Sequence, residues 1–236
     1  MSNRPVALVT GATEGIGRAI AFAFGREGYA VGVCARTPDK VRALLDALGA
    51  EGIPAAGRPT DVGDAEGSAA IVAHVSEALG DVDVLINNAG VLVARPLEEL
   101  TLEEWDRTMS VNVRSLFLMT RAVLPAMRRR KAGTIVNVAS LAGRNGFPGG
   151  TAYTASKHAC LGFSRSLMLE TRKDNIRVVA ICPGSVDTGL LHDQAMLKSD
   201  PAKILRPEDV ADTILHAVRL PARALVSELD VRPTNP

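Results

Sequence analysis

Tyr153 and Lys157 stand four residues apart in Tyr153-Thr154-Ala155-Ser156-Lys157, which reads as the opening of a long helix over about residues 153–172. Four apart on a helix means one face. A phenol with an ordinary pKa of about 10 is a poor proton donor at neutral pH, and making it a useful one takes roughly 3 units, about 4 kcal/mol. A cation about 4 Å away in a partly buried site contributes roughly that much, so one lysine is the right size of perturbation to favour a phenolate. Most Tyr/Lys pairs at this spacing are merely solvated. Proton-transfer chemistry therefore depends on what the rest of the chain brings beside them.

The elements that must position the pair alternate between short apolar runs and helical patterns. Residues 5–10 form a continuous apolar run, as expected of a strand buried on both faces, and lead into Gly11-Ala12-Thr13-Glu14-Gly15-Ile16-Gly17 and a helical pattern to Arg26. Strand, glycine turn and helix together cradle a phosphate, because glycine permits close backbone approach and a helix N-terminus offers free N–H groups. The spacing Gly-x-x-x-Gly-x-Gly differs from the Gly-x-Gly-x-x-Gly dinucleotide fingerprint, and tight turns also use glycine for purely steric reasons. Strands follow over 30–35, 55–59 and 82–86, with helices over about 38–48 and 64–79. The second strand ends in Ala35-Arg36. In a βαβ nucleotide site an acid at this place meets the ribose 2′-hydroxyl, whereas an arginine accommodates a 2′-phosphate. With a cation and no acid, charge-assisted hydrogen bonds of about 1.5 to 3 kcal/mol favour NADP(H) over NAD(H) by on the order of tenfold to a hundredfold.

The fourth strand stops in Asn87-Asn88-Ala89-Gly90, a set of small residues that a turn would explain and that a cofactor lying across the strand ends would also require. Helices over 98–109 and 111–130 follow, the second carrying Asn112 as a polar residue that needs a partner. A fifth strand over 133–139 ends at Ser140, and a loop over 143–150 delivers the chain to Tyr153. A sixth strand over 176–181 ends in Cys182-Pro183-Gly184. Residues 185–206 show no convincing regular structure, which in a compact domain marks a functional or mobile loop. A helix over 207–219 and a strand over 225–231 close the chain. This alternation predicts an α/β fold: one domain over 1–236, a doubly wound parallel sheet of about seven strands with helices on both faces, and ligands at the strand carboxyl ends.

Thr10-Gly11-x-x-x-Gly15-x-Gly17, Asn87-Asn88-Ala89-Gly90, Asn112, Ser140, Tyr153-x-x-x-Lys157 and Pro183-Gly184 occur in order, and with them the chain resembles the short-chain dehydrogenase/reductase family over about residues 6–188. The resemblance implies a Rossmann fold and hydride transfer between a nicotinamide cofactor and a carbonyl or secondary alcohol. It implies Tyr153 as general acid for reduction and base for oxidation, with Ser140 hydrogen-bonding the substrate oxygen. Lys157 would hold the nicotinamide ribose and assist the phenol, and Asn112 would position a proton-relaying water. Such donors suit the chemistry, because a carbonyl oxygen gains charge as hydride arrives. The resemblance also assigns cofactor contacts to Gly11, Thr13, Glu14, Gly15 and Ile16 of the turn, to Arg36, and to Asp61 and Val62 at the adenine. Further contacts fall on Asn88, Ala89 and Gly90 in the groove, on Pro183 and Gly184, and on Val186 and Thr188 at the nicotinamide amide. Three departures stand out. Glu14 occupies a place where many NADP(H)-using relatives carry Lys or Arg, so the cofactor argument rests on Arg36 and the missing acid at Ala35. The chain ends Arg232-Pro233-Thr234-Asn235-Pro236, without the Gly-Gly pair that contributes to a tetramer interface in many relatives. The 185–206 loop is short, which implies a small or open lid. The helices bearing Asn112 and Tyr153 resemble the pair that dimerises across the family, so a homodimer or homotetramer is expected.

With 236 residues, 47% of them hydrophobic, the chain is long enough to bury one sizeable core. A formal charge of +1 and only 3% aromatic residues leave little for nucleic acid. Arg128-Arg129-Arg130-Lys131 falls at a helix C-terminus, where cations complement the dipole. Cys34, Cys160 and Cys182 show no Cys-x-x-Cys pairing and suit buried thiols in a reducing compartment, so a cytoplasmic location is expected. Met1-Ser2-Asn3-Arg4-Pro5 leads into an apolar run too short for a signal peptide, and no run approaches the length of a membrane span. His74, His158, His192 and His216 lack metal-ligand spacing, so no metal site is expected. Two other functions stay open. One is reduction of a 3-oxoacyl group on acyl carrier protein, with the basic run and Arg172-Lys173 receiving an acidic carrier. The other is a non-catalytic NADP(H)-binding regulator, which needs Arg36 and the glycine turn but not Tyr153. Leu141, Phe147, Leu190, Leu191 and Met196 lie near the expected pocket mouth and suit an apolar substrate body.

Overall fold

The structure is a computed structural model that describes residues 4–194, 196–197 and 200–235. Met1, Ser2 and Asn3 of the N-terminal reading, Pro236 of the C-terminal one, and residues 195, 198 and 199 of the 185–206 loop lie outside the described residues. The strands are β1 (Val6–Thr10), β2 (Ala30–Ala35), β3 (Ala55–Pro59), β4 (Val84–Asn87), β5 (Gly133–Val138), β6 (Ile176–Pro183) and β7 (Glu228–Val231). All pair in parallel within one sheet of order β3-β2-β1-β4-β5-β6-β7. The chain winds outward in one direction from β1 and then in the other from β4, and a crevice opens between their carboxyl ends. The helices are α1 (Gly15–Arg26), α2 (Pro38–Ala50), α3 (Ala65–Leu79), α4 (Leu102–Met109), α5 (Ser115–Arg130), α6 (Thr151–Thr171), α7 (Gly189–His192) and α8 (Pro207–Arg219).

Strands covered on both faces must be apolar on both, and all five residues of β1 are buried. Ala7 and Val9 join one core with Ile20 and Phe24 of α1, Leu44 of α2, and Val210 and Ile214 of α8. Val6 and Leu8 point the other way, into a core with Ile71 and Val75 of α3, Met119 and Val123 of α5, and Leu167 of α6. Full burial of one such side chain contributes about 1.5–3 kcal/mol, so these two layers hold the strand ends in register.

Several boundaries differ from the sequence expectation, each for a local reason. In place of separate helices over 98–109 and 111–130, a three-residue turn at Leu97–Glu99 precedes an unbroken rod made of α4, one π turn at Ser110–Arg114, and α5. The rod starts at Thr101, whose Oγ1 accepts from the Glu104 N–H while the Glu104 carboxylate accepts from the Thr101 N–H. This reciprocal cap outweighs the helix-forming tendency of Glu98 and Glu99. β4 begins at Val84, after Asp83 has turned its carboxylate to accept from the Val6 N–H. β6 runs on to Pro183, and β7 begins only at Glu228. Within 185–206, among the described residues, α7 and a bridge between Val186 and Leu205 supply regular structure that the sequence does not announce.

A buried polar ladder ties the sheet to α6. Asn87 and Asn137 face each other across β4 and β5. Asn87 Nδ2 donates to Asn137 Oδ1 (2.9 Å), Asn137 Nδ2 donates to Ser164 Oγ (2.9 Å), and Ser164 Oγ donates to the Cys160 carbonyl (2.7 Å). A buried donor left without an acceptor costs about 1–3 kcal/mol. Asn137→Ala should therefore lower the unfolding free energy by about 2–3 kcal/mol in urea titrations. The Asn87→Ala/Asn137→Ala pair should lose less than the sum of the two single changes, since no amide is then left unpaired.

Candidate active site

The strand ends open into one cleft of about 980 Å³. Gly11, Thr13, Glu14, Gly15, Ile16, Arg36, Asp61, Val62, Asn88, Ala89 and Gly90 line it, together with Ser140, Tyr153, Lys157, Pro183, Gly184, Val186 and Thr188. Asn112 does not line the cleft and is buried in the π turn behind it.

At one end the backbone is shaped for an anion. Gly11 has φ +61°, and a Cβ there would come within 2.8 Å of the Ala89 Cα. A Cβ at Gly17 would collide with the Gly11 carbonyl oxygen and the Asn88 amide, so the turn and α1 close on each other only as glycines. Asn88 Nδ2 donates to the Thr10 and Gly11 carbonyls, and Thr10 Oγ1 accepts from the N–H groups of Asn88 and Ala89. Asn88 thus builds the turn as well as lining the cleft. Glu14 is the N-cap residue of α1 yet makes no capping hydrogen bond, and no acid stands in the first turn. Its carboxylate pairs instead with Lys40 Nζ at 2.7 Å. Lys40, absent from the sequence-based site, lines the cleft beside Arg36. Its only sequence signal was a cation in the first turn of the helix that follows Arg36. Arg36 is exposed and has no ion pair among the described residues.

At the other end α6 places Tyr153 and Lys157 on one buried turn, with Lys157 Nζ 5.6 Å from the Tyr153 ring centroid. Lys157 Nζ donates to the carbonyl of Val138, the last residue of β5 (2.8 Å). Ser140 then begins a short turn at Leu141–Gly143, where its Oγ accepts from the Ala142 N–H (3.1 Å) and keeps its own hydrogen for another acceptor. Asn112 works through its side chain. Its Oδ1 accepts from the Val91 N–H (2.8 Å), and its Nδ2 donates to the Val91 carbonyl (2.9 Å) and to Ser156 Oγ (3.0 Å). Ser156 Oγ in turn donates to the Tyr153 carbonyl (2.7 Å). The Ser156 hydroxyl, which sequence reasoning passed over inside the Tyr153–Lys157 motif, thus joins Asn112 to the turn that carries the phenol.

The arrangement offers proton donors and anion-binding groups, not a thiolate nucleophile. Burial pushes the Cys34 thiol up to about 12 and the Cys182 thiol up to about 11, so neither supplies thiolate near neutral pH. Leu141, Phe147, Leu190, Leu191 and Met196 all line the cleft. The Phe147 ring meets the Tyr153 ring edge-on at 6.3 Å. The segment carrying α7 is fastened across the mouth, for Gln194 Oε1 accepts from the Ala94 N–H at 2.9 Å.

The family model for short chain dehydrogenases matches residues 5–197. A glycine betaine reductase of Emericella nidulans is 37% identical over 98% of this chain, which spans only 19% of that protein's length. Among solved structures, the actinorhodin polyketide ketoreductase with NADPH shares 35% identity at a TM-score of 0.91, covering 99% of this chain and 97% of that one. An alcohol dehydrogenase from the archaeon Thermococcus sibiricus, complexed with 5-hydroxy-NADP, shares 31% identity at a TM-score of 0.89, covering 98% and 97%.

The bond from Ala94 to Gln194 uses only the acceptor oxygen of the amide, so a carboxylate can replace it and an alkyl group cannot. Gln194→Leu should speed proteolytic cleavage within residues 187–205 several-fold, while Gln194→Glu should leave the rate within about twofold. Equal rates for the two variants would show that this hydrogen bond does not hold the segment.

Proposed function

The chain belongs to the short-chain dehydrogenase family, and from that premise we propose that it reduces carbonyl substrates with NADPH, as one catalytic domain over residues 1–236 with Tyr153 as general acid. The observation that carries this reading is the placement of Tyr153, Lys157 and Ser140 at one end of a cleft whose other end holds the Gly11–Gly17 turn, Arg36 and Lys40. NADP(H) fits those residues. The α1 N-terminus has no carboxylate capping it, and Arg36, with Lys40 if it leaves Glu14, would receive a 2′-phosphate in the cleft that both residues line.

When bound, NADPH supplies the hydride. Tyr153 gives a proton to the oxygen that gains charge, and Ser140 donates its free hydroxyl hydrogen to the same oxygen. Lys157 spends one N–H on the Val138 carbonyl, which leaves two donors for ribose hydroxyls and a positive charge beside the phenol. Asn112 steadies this corner through Val91 and Ser156 and is the proposed seat of the proton-relaying water.

A second reading, reduction of a 3-oxoacyl group on acyl carrier protein, is favoured by the likeness to the polyketide ketoreductase. The basic run offers it little within one chain. Arg128 is paired with Asp174, and Arg130 with Asp81 and Asp83. The run also adjoins the start of β5, whose six residues put about 20 Å between it and Ser140. For assembly we propose a homodimer or homotetramer built on α5 and α6, which leave Phe117 and Leu169 about half exposed. The three free cysteines are buried, and among the described residues no helix is long and apolar enough to cross a membrane. A cytoplasmic location is proposed on the thiols.

Tyr153→Phe should lower kcat for ketone reduction by at least about 10²-fold while NADPH still binds. Unchanged turnover would refute the assignment, and NADPH binding with no turnover of ketones or 3-oxoacyl thioesters by the unmutated chain would favour the regulator. Arg36→Ala should raise KM for NADPH by on the order of tenfold with little change for NADH, measured by consumption of the two cofactors side by side.

A further inference from the structure

The turn that carries Ser140 is held from two sides. On one side it lies hard against α6, because a Cβ at Gly143 would come within 2.8 Å of the Lys157 carbonyl oxygen. On the other side its closing residue, Arg144, reaches to the edge strand β7. Arg144 Nε donates to Asp230 Oδ1 (2.7 Å), and its second guanidinium nitrogen lies 2.9 Å from Glu228 Oε2. Neither acid is a loose surface partner. Arg165 of α6 makes a two-pronged contact with Glu228 at 2.6 and 3.1 Å, and Arg232 holds Asp230 at 3.1 Å. The hydrogen bond from Arg165, opposed by burial and joined by Arg144, keeps the Glu228 carboxyl below its ordinary range. Burial alone would raise the Asp230 carboxyl, but hydrogen bonds from Arg144 and Arg232 hold it low. The five groups form one interlocked set, which resists rearrangement far better than an isolated surface pair. The same strand also fixes the other lip of the cleft, where the Gly184 N–H donates to the Val231 carbonyl at 2.8 Å.

We propose that Arg144 is a positioning residue for Ser140. By locking the Leu141–Gly143 turn onto Glu228 and Asp230, it sets the reach of the Ser140 hydroxyl toward the oxygen protonated by Tyr153. The inference rests on the carbonyl-reductase reading above. A small displacement of a group that touches the reacting atoms costs far more in rate than in ground-state binding, so the effect falls on kcat.

The test is a double-mutant cycle in the full chain. Arg144→Ala should lower kcat by on the order of tenfold while KM for NADPH stays within about twofold. In the Ser140→Ala background the same change should lower kcat by less than about twofold, because the hydroxyl it places is gone. Arg144→Lys, able to hold one acid but not both, should recover part of the loss. If Arg144→Ala does not yield folded protein, Asp230→Asn, which leaves Arg144 in place and weakens its anchor, replaces it in the same cycle. Equal losses with and without Ser140, or a fall in Tm with kcat intact, would overturn the positioning role. A Ser140→Ala enzyme as fast as the unmutated one would instead refute the reading on which the inference rests.

Discussion

An amine buried to 5% exposure must have its N–H groups accepted, and among the described residues the chain itself meets one of the three on Lys157. Its Nζ reaches the Val138 carbonyl, which is available because β5 ends there. Gly143 stays small against the same residue. A Cβ on Gly143 would strike the Lys157 backbone carbonyl, whereas one on Gly90 would make only an ordinary contact with Nζ. The end of β5 and the turn after Ser140 are therefore both set against Lys157 of α6, the first through its side chain and the second through its backbone. Since α6 is anchored to the sheet by the Asn137–Ser164 bond and by the burial of Leu167, the geometry of the cleft follows from how one helix seats on β5.

Much of this was legible in the sequence alone, and for a physical reason. Parallel strands covered by helices on both faces read as largely apolar runs, and four of the runs here are followed by a residue with chemical character: Gly11 after β1, Asn88 after β4, Ser140 after β5 and Gly184 after β6. Because a doubly wound sheet gathers its strand carboxyl ends, residues at those stops must converge, and they line one cleft. The strand count needed nothing more than the alternation.

Two kinds of feature escaped the sequence. α7 is four residues long, too short to show a helical period, and the start of the 102–130 rod depended on a reciprocal cap, Thr101 with Glu104, that the neighbouring charges of Glu98 and Glu99 obscure. The other kind is contact between distant residues. Gln194 meets Ala94 across 100 positions, Arg144 meets Asp230 across 86, and Lys40 meets Glu14 across 26. No local pattern encodes such pairs, since each requires the sheet order before the partners are neighbours. The basic run at Arg128 to Lys131 shows the converse. Its local pattern suggested a docking patch, while the fold supplies Asp81, Asp83 and Asp174 to occupy Arg128 and Arg130.

The Asn112 side chain accepts from the N–H and donates to the carbonyl of Val91, filling both hydrogen-bonding positions of that residue as a neighbouring strand would. One amide thus pins the segment after β4 at Val91. Residues 92–96 are held by other partners, the Ala94 N–H donating to Gln194 Oε1 and the Arg95 N–H to the Gly149 carbonyl. The backbone on the two sides of Val91 is thus held from different parts of the fold: the rod bearing Asn112 fixes the residue that follows Gly90, while the cleft wall beyond it hangs on the α7 segment and on the loop before α6.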